Sequence, residues 1–222
     1  MIRSAVALAW LTMIGCAMRV DAQQAPSVVE FTGTSANVAQ PGSPVAIRIL
    51  RWSTDDERGP LVAAMNPAVR AEAPPPPARG ARGAAPGRGG RGARGRGDAA
   101  PPGPMAALTA AIGKAPTVGY IWTNAVTGYS IKYAYHAPLP DGSERIVLAT
   151  DRRLGAYTTA WRPVAAAAAT DYDFTLLELR IDPRGSGEGK ASLTTKVIVD
   201  TEAKTLALED YGAAPAILTV KR

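Results

Sequence analysis

Past Thr117 the apolar runs of this chain are separated by connections too short to hold a crossover, and that restricts the fold more than any other feature. "TVGYIWT" passes through "NAVTG" into "YSIKYAYHAPL", and "PDGS" leads to "ERIVLATD". Leu154 to Trp161 reads as a further strand, followed by the small apolar link "VAAAAAT" (Val164 to Thr170). "DYDFTLLELRID" turns at "PRGSGEG" and returns as "KASLTTKVIVD"; "TEAK" turns into "TLALEDYG", and "AILTVK" follows Pro215. Parallel neighbours need a long crossover, so strands joined this tightly must pair antiparallel.

Two alternating runs come first, "SVVEFTGTSANV" (Ser27 to Val38) and "PVAIRILRW" (Pro44 to Trp52), with Pro41-Gly42-Ser43 as the turn between them. Ile47 and Ile49 fall on one side, Arg48 and Leu50 on the other, the period of a half-buried strand. Thr54, with Glu57 three residues on, forms a capping box for a helix, and Gly59-Pro60 predicts a kink or a restart in it. "MAALTAAIGKAP" (Met105 to Pro116) predicts a second helix closed by Gly113 and Pro116. The expected fold class is mainly β (α+β): an antiparallel β-barrel or sandwich with one or two short helices and a disordered Pro/Gly/Arg-rich loop. That loop, 72–104, has no bulky apolar residue with which to offset the entropy of ordering.

The N-terminus reads as an export signal. Arg3 is followed by a short apolar stretch from Ser4 to Met18, and Val20-Asp21-Ala22 fits a cleavage site. The expected organisation is a signal peptide over 1–22 and a single β-rich domain over 23–222, interrupted by the insertion at 72–104. Such a product is exported to the periplasm or the medium, with no transmembrane segment in the mature chain. The alternative takes Met13-Ile14-Gly15-Cys16 as a lipobox and anchors the product through Cys16. Cys16 is the only cysteine, so a chain starting at Gln23 relies on its apolar core rather than on disulfides.

The formal net charge of +6 is mostly local. Arg79, Arg82, Arg88, Arg91, Arg94 and Arg96 stand against Glu72 and Asp98 in the insertion, and the remainder is close to neutral. Duplex binding needs a basic face on the folded part, which this balance does not supply. Arg-Gly segments that bind RNA interleave aromatics with the repeats, and this one has none, so nucleic acid is not an expected partner. The insertion reads as a tolerated loop whose arginines would attract anionic polymers of the cell envelope.

"PTVGYIWTNAVTGYSIKYAYHAPLPDGSERIVLATDR" and "DYDFTLLELRIDPRGSGEGKASLTTKV", with "RWSTDDER" upstream, resemble a family of uncharacterised secreted bacterial proteins. The likeness covers most of 45–222 outside the insertion. It implies no activity, ligand or active site, because none is established for that family, and it implies that relatives join the two helical pieces directly.

Catalytic patterns are sparse. His136 is the only histidine, and with no cysteine in the mature chain and no G-x-S-x-G elbow there is little from which to build a triad or a zinc site; it reads as a hairpin-end residue. Asp171 and Asp173 are placed on one strand face, and Glu178, Arg180 and Asp182 alternate along it as a solvated face does. Asp182, Ser186 and Glu188 have the look of a calcium loop, but Arg184 breaks the pattern and a Gly-rich hairpin explains it. No cofactor and no metal is expected. The aromatics are the candidate ligand-binding residues: Tyr120 and Trp122 on one strand, Tyr129, Tyr133 and Tyr135 with Ile131 on the next. If Tyr120 pairs with Tyr133 and Trp122 with Ile131, they form one surface, which could be a core seam, a pocket or a platform for sugars; a one-residue slip puts them on opposite faces. The function expected is a non-enzymatic binding or structural module of the cell envelope. The alternatives are a lipocalin-like carrier of a small apolar ligand and a carboxylate-dependent carbohydrate-active hydrolase.

Overall fold

The computed structural model describes residues 28–66, 102–164 and 170–222. The expected export signal, Cys16, the start at Gln23 and nearly all of the arginine-rich insertion lie outside the described residues. Eight antiparallel strands close into a barrel in the order β1-β10-β7-β6-β5-β4-β3-β2, and β8 and β9 form a separate two-stranded hairpin. The strands are β1 (Val29–Ser35), β2 (Pro44–Ile49), β3 (Gly119–Trp122), β4 (Tyr129–Pro138), β5 (Glu144–Thr150), β6 (Leu176–Ile181), β7 (Ser186–Ala191), β8 (Val197–Asp200), β9 (Thr205–Leu208) and β10 (Leu218–Lys221). Two helices, α1 (Asp55–Met65) and α2 (Pro104–Lys114), pack outside. Of the barrel and sandwich expected, the chain forms the barrel, with the hairpin beside it.

Alternation along the strands fills the interior. Phe31, Ile47, Ile49, Ile121, Ile131, Ile146, Leu148, Leu179 and Val220 point inward, and none is more than 2% exposed. β7 contributes glycines to this face. A Cβ on Gly189 would lie 2.7 Å from Leu179 Cδ2 and 3.1 Å from Leu218 Cβ, so its neighbours' side chains occupy the room it leaves. A second core lies outside the barrel wall, where Leu61 and Ala64 of α1, Leu108 and Ile112 of α2, and Leu206 and Leu208 of β9 cover Tyr133, Val147, Ala149 and Leu176.

The capping box forms as expected. Thr54 Oγ1 accepts from the Glu57 amide, and a Glu57 carboxylate oxygen accepts from the Thr54 amide at 3.0 Å. Arg51 then grips Glu57 with two hydrogen bonds of 2.7 Å. Of the kink or restart expected at Gly59-Pro60, the restart does not occur: α1 runs through Pro60 as one helix. Pro60 removes one intrahelical hydrogen bond, and burial of Leu61 and Ala64 on the second core holds the helix together. α2 likewise includes Gly113 instead of ending there.

Two further expectations are corrected. Leu154 to Trp161 is not a strand; it is a turn followed by a short 3-10 helix at Thr159–Trp161, which Thr158 caps through its hydroxyl. "KASLTTKVIVD" is two strands, because Thr194 turns the chain by donating its amide and hydroxyl to Ala191 O, and Val197 then opens the hairpin.

Among the described residues four carboxylates are held below their usual range, Asp141 by hydrogen bonds from the Ser143 hydroxyl and amide and three by more distant partners. Arg51 does this to Glu57 by hydrogen bonding, Arg222 does the same to Glu144, and the Ala203 amide, then Arg145, do it to Asp200. A depressed folded-state value stabilises the fold above the unfolded value and loses that contribution as pH falls through the folded one. The urea midpoint should therefore stay level down to about pH 5 and fall below about pH 4, where the unfolded carboxyls take up protons first. An unchanged midpoint at about pH 3 would show that these pairings do not stabilise the fold.

Candidate functional site

β4 contains the feature that decides where the aromatics go. Its pairing with β5 runs Ile131↔Thr150 and then Tyr133↔Ala149, so Lys132 is an extra residue and the register shifts there. Before this bulge the odd-numbered residues face the barrel interior: Tyr129 is 2% exposed and Ile131 is fully buried. After it the even-numbered ones do, and Tyr133 and Tyr135 turn outward beneath α1. A bulge inserts one residue into one strand and so reverses the facing of everything that follows.

The expected single aromatic surface is therefore not formed. Tyr120 sits opposite Ser130, not Tyr133, and Ile121 sits opposite Tyr129. Tyr133 is a fastening between layers: its hydroxyl meets Thr205 Oγ1 and accepts from the Leu206 amide, tying the β8–β9 hairpin to the wall. Burial raises its pKa. Tyr135 lies under the Arg58 guanidinium, 4.9 Å from its ring centroid.

Tyr120 and Trp122 do come together, at the end of the β3–β4 hairpin, while Tyr129 faces the barrel interior. Tyr120 and Trp122 project from the outer face of β3, 37% and 43% exposed, with ring centroids 5.4 Å apart. Arg48, paired with Glu30 at 2.9 Å, and Ser130 flank Tyr120 on the adjoining strands. Trp122 lies against Gly128, where an added Cβ would come within 3.0 Å of the indole.

Across the 123–128 connection is a cavity of about 280 Å³ lined by Asn124, Ala125, Val126, Thr127, Tyr129, Arg152, Tyr157 and Thr158. Arg152 forms its wall. The guanidinium lies 4.5 Å over the Tyr129 ring and donates to Thr127 O (3.2 Å) and Gly128 O (2.5 Å). The Tyr129 hydroxyl accepts from the Gly155 amide at 3.1 Å. Gly128 thus separates the outer aromatic pair from the cavity.

The chain matches no protein-family model, no curated protein and no solved structure. Any reading of function must come from its own geometry.

His136 lies near the turn end of the β4–β5 hairpin, as expected, whereas several carboxylates lie elsewhere than the sequence implies. Asp171 and Asp173 precede β6, exposed and off any strand, and Asp171 meets Arg153 at 3.4 Å. Glu178 is not on a solvated face: it is 1% exposed, and it holds Arg145 at 3.0 Å and Arg180 at 3.5 Å beneath the β8–β9 hairpin. Asp182 closes the β6–β7 turn by accepting from the Arg184 and Ser186 amides, which is the hairpin expected of that stretch. His136 stands at the far mouth of the barrel, in a cavity of about 330 Å³ lined by Val28, Val29, Glu30, Trp52, Glu144 and Arg222. It stacks on Trp52 at 5.1 Å, and its Nε2 lies 3.6 Å from Glu144 Oε2, an oxygen that Arg222 also binds. Trp52 and Arg222 escaped the sequence reading because nothing near them in the chain marks them as partners of His136. Among the described residues no group of three or more His, Cys, Asp or Glu side chains could hold a metal ion, and no helix is long and apolar enough to cross a membrane.

Proposed function

We propose that this chain is an exported, non-enzymatic binding module of the cell envelope, and that its ligand is a carbohydrate held at the end of the β3–β4 hairpin. The observation behind this reading is the pair of exposed rings, Tyr120 and Trp122, standing side by side on a sheet face next to a concave, hydroxyl-rich cavity. A pyranose presents an apolar C–H face and a rim of hydroxyls. The ring faces suit the first, and Ser130, Asn124, Thr127 and Thr158 suit the second. Export rests on the N-terminal signal read from sequence and on the resemblance to secreted proteins.

The alternatives have less support. A carrier needs room inside, and the barrel interior is filled by Phe31, Tyr129, Trp161 and branched aliphatic side chains. A two-carboxylate hydrolase needs one acid kept protonated near neutral pH. The two carboxylates that line the far-mouth cavity, Glu30 and Glu144, are each taken by an arginine, and Arg222 holds Glu144 in its ionised form.

Binding to a panel of soluble polysaccharides, measured by affinity electrophoresis and by calorimetry with their oligomers, tests the proposal. Trp122→Ala should weaken binding by about tenfold or more, as loss of a central aromatic contact does, while the thermal melt stays within a degree or two of wild type. Binding unchanged by both Trp122→Ala and Tyr120→Ala would remove the platform from consideration.

A further inference from the structure

Among the described residues that line the cavity beside Trp122, one is charged, Arg152, and none is a carboxylate. Most of what surrounds that guanidinium fixes it in place. Tyr129 lies under its plane, and Nη2 is committed to the Thr127 and Gly128 carbonyls. Among the described residues Asp151 is its only acidic contact, at 3.4 Å, and that carboxylate also accepts from the Ser130 amide at 3.0 Å through its other oxygen. Asp151 is shared between two donors and is not part of the cavity lining, so the cation's field in the cavity is only partly offset.

We infer that the saccharide held here has a carboxylate, and that Arg152 is the residue that selects it. The inference rests on the carbohydrate reading above and adds the class of sugar: a uronic acid or another sugar acid. A single immobilised cation with part of its hydrogen-bonding capacity already spent balances one negative charge, which fits a carboxylate better than the dianion of a phosphate monoester. Its position against Gly128, with Trp122 on the other side, lets one sugar unit stack outside while its neighbour's carboxylate reaches the cavity.

The test uses the full chain with trigalacturonate, its fully methyl-esterified form and a neutral galactan trimer, measured by calorimetry at low and high salt. Wild type should bind the acid about tenfold more tightly than the ester, since hydrogen bonds to charged groups contribute more than neutral ones. The preference should shrink as salt screens the pair. Arg152→Lys should retain a preference for the acid; Arg152→Gln should bind acid and ester alike; Trp122→Ala should weaken both. The acid–ester comparison in wild type does not depend on how any variant folds. The arginines of the 72–104 insertion remain in every variant, so an acid preference that survives Arg152→Gln would belong to them and would overturn the inference. Equal affinity of wild type for acid, ester and neutral trimer would also overturn it, leaving the carbohydrate reading in place. If no saccharide binds, both fall together.

Discussion

Trp161→Ala should cost about 4 kcal/mol of folding stability, the range for truncating a large core aromatic, and at this chain length lower the melting temperature by about 10 °C. The reason lies in how one end of the barrel is closed. The segment following β5 crosses that end and docks on the β1–β2 connection, with Gln40 N donating to Ala160 O at 3.1 Å, Ala39 N donating to Arg162 O at 2.8 Å, and Val38 bridging Pro163. Trp161, 2% exposed, fills the space below together with Leu154 and Ala160. Its ring packs so closely on the turn that a Cβ at Gly155 would lie 2.7 Å from Trp161 Cβ, and Gly155 also has a positive φ of 78° that disfavours any side chain. The indole Nε1–H is buried with no partner among the described residues, so Trp161→Phe gives up volume but no hydrogen bond among them and should cost well under half as much. Urea denaturation of the two variants separates these outcomes. Equal losses would mean that the indole N–H has a role the packing does not explain.

This plug was not legible in the sequence. Leu154 to Trp161 contains enough β-favouring residues to pass as a strand, and what makes it a plug, the hole at the end of a closed barrel, exists only once the strands have paired. The same limit explains the aromatic row. Tyr129, Ile131, Tyr133 and Tyr135 alternate without interruption, and only a pairing partner reveals that Lys132 is bulged and that the second pair has changed face. Features that depend on a few adjacent residues were readable: the Thr54–Glu57 box, the Asp182 turn, and the strand character of most segments.

One signal was present and passed over. "IVLA" (146–149) is a continuous apolar run and "LLEL" (176–179) is apolar except for Glu178, neither of them alternating, and such runs mark strands covered on both faces. Ile146, Val147, Leu148 and Ala149 are all fully buried, two facing the barrel and two facing the helices. A chain with one covered face has no use for that pattern. From the runs alone it follows that the outer wall of β5 and β6 is roofed, and that an acidic residue between them, Glu178, must be buried as well.

That burial leads to the other large expected effect. Glu178→Gln should destabilise the fold by about 3 kcal/mol, the scale for breaking a buried ion pair from one side. Glu178 holds Arg145 through Nε at 3.0 Å, while Arg145 Nη1 reaches Asp200 at 2.8 Å, so the guanidinium spans from the barrel wall to the end of β8. Arg145 is itself only 13% exposed. Without the Glu178 charge, its sole remaining acid among the described residues is Asp200, 27% exposed and shared with the Ala203 amide. The neutral amide of glutamine can still accept a hydrogen bond, so the loss measured is mainly that of the uncompensated charge. Replacing both partners by methionine should recover most of the stability, because the second core already surrounds the pair and apolar side chains of similar volume need no charge partner. The hairpin should respond differently from the wall: its β8 end loses the Arg145 tie in the double variant, so amide hydrogen exchange at Val199 and Asp200 should quicken while β5 and β6 stay protected. Loss of protection throughout β5 and β6 would instead show that the ion pair supports the barrel itself rather than the attachment of the hairpin to it.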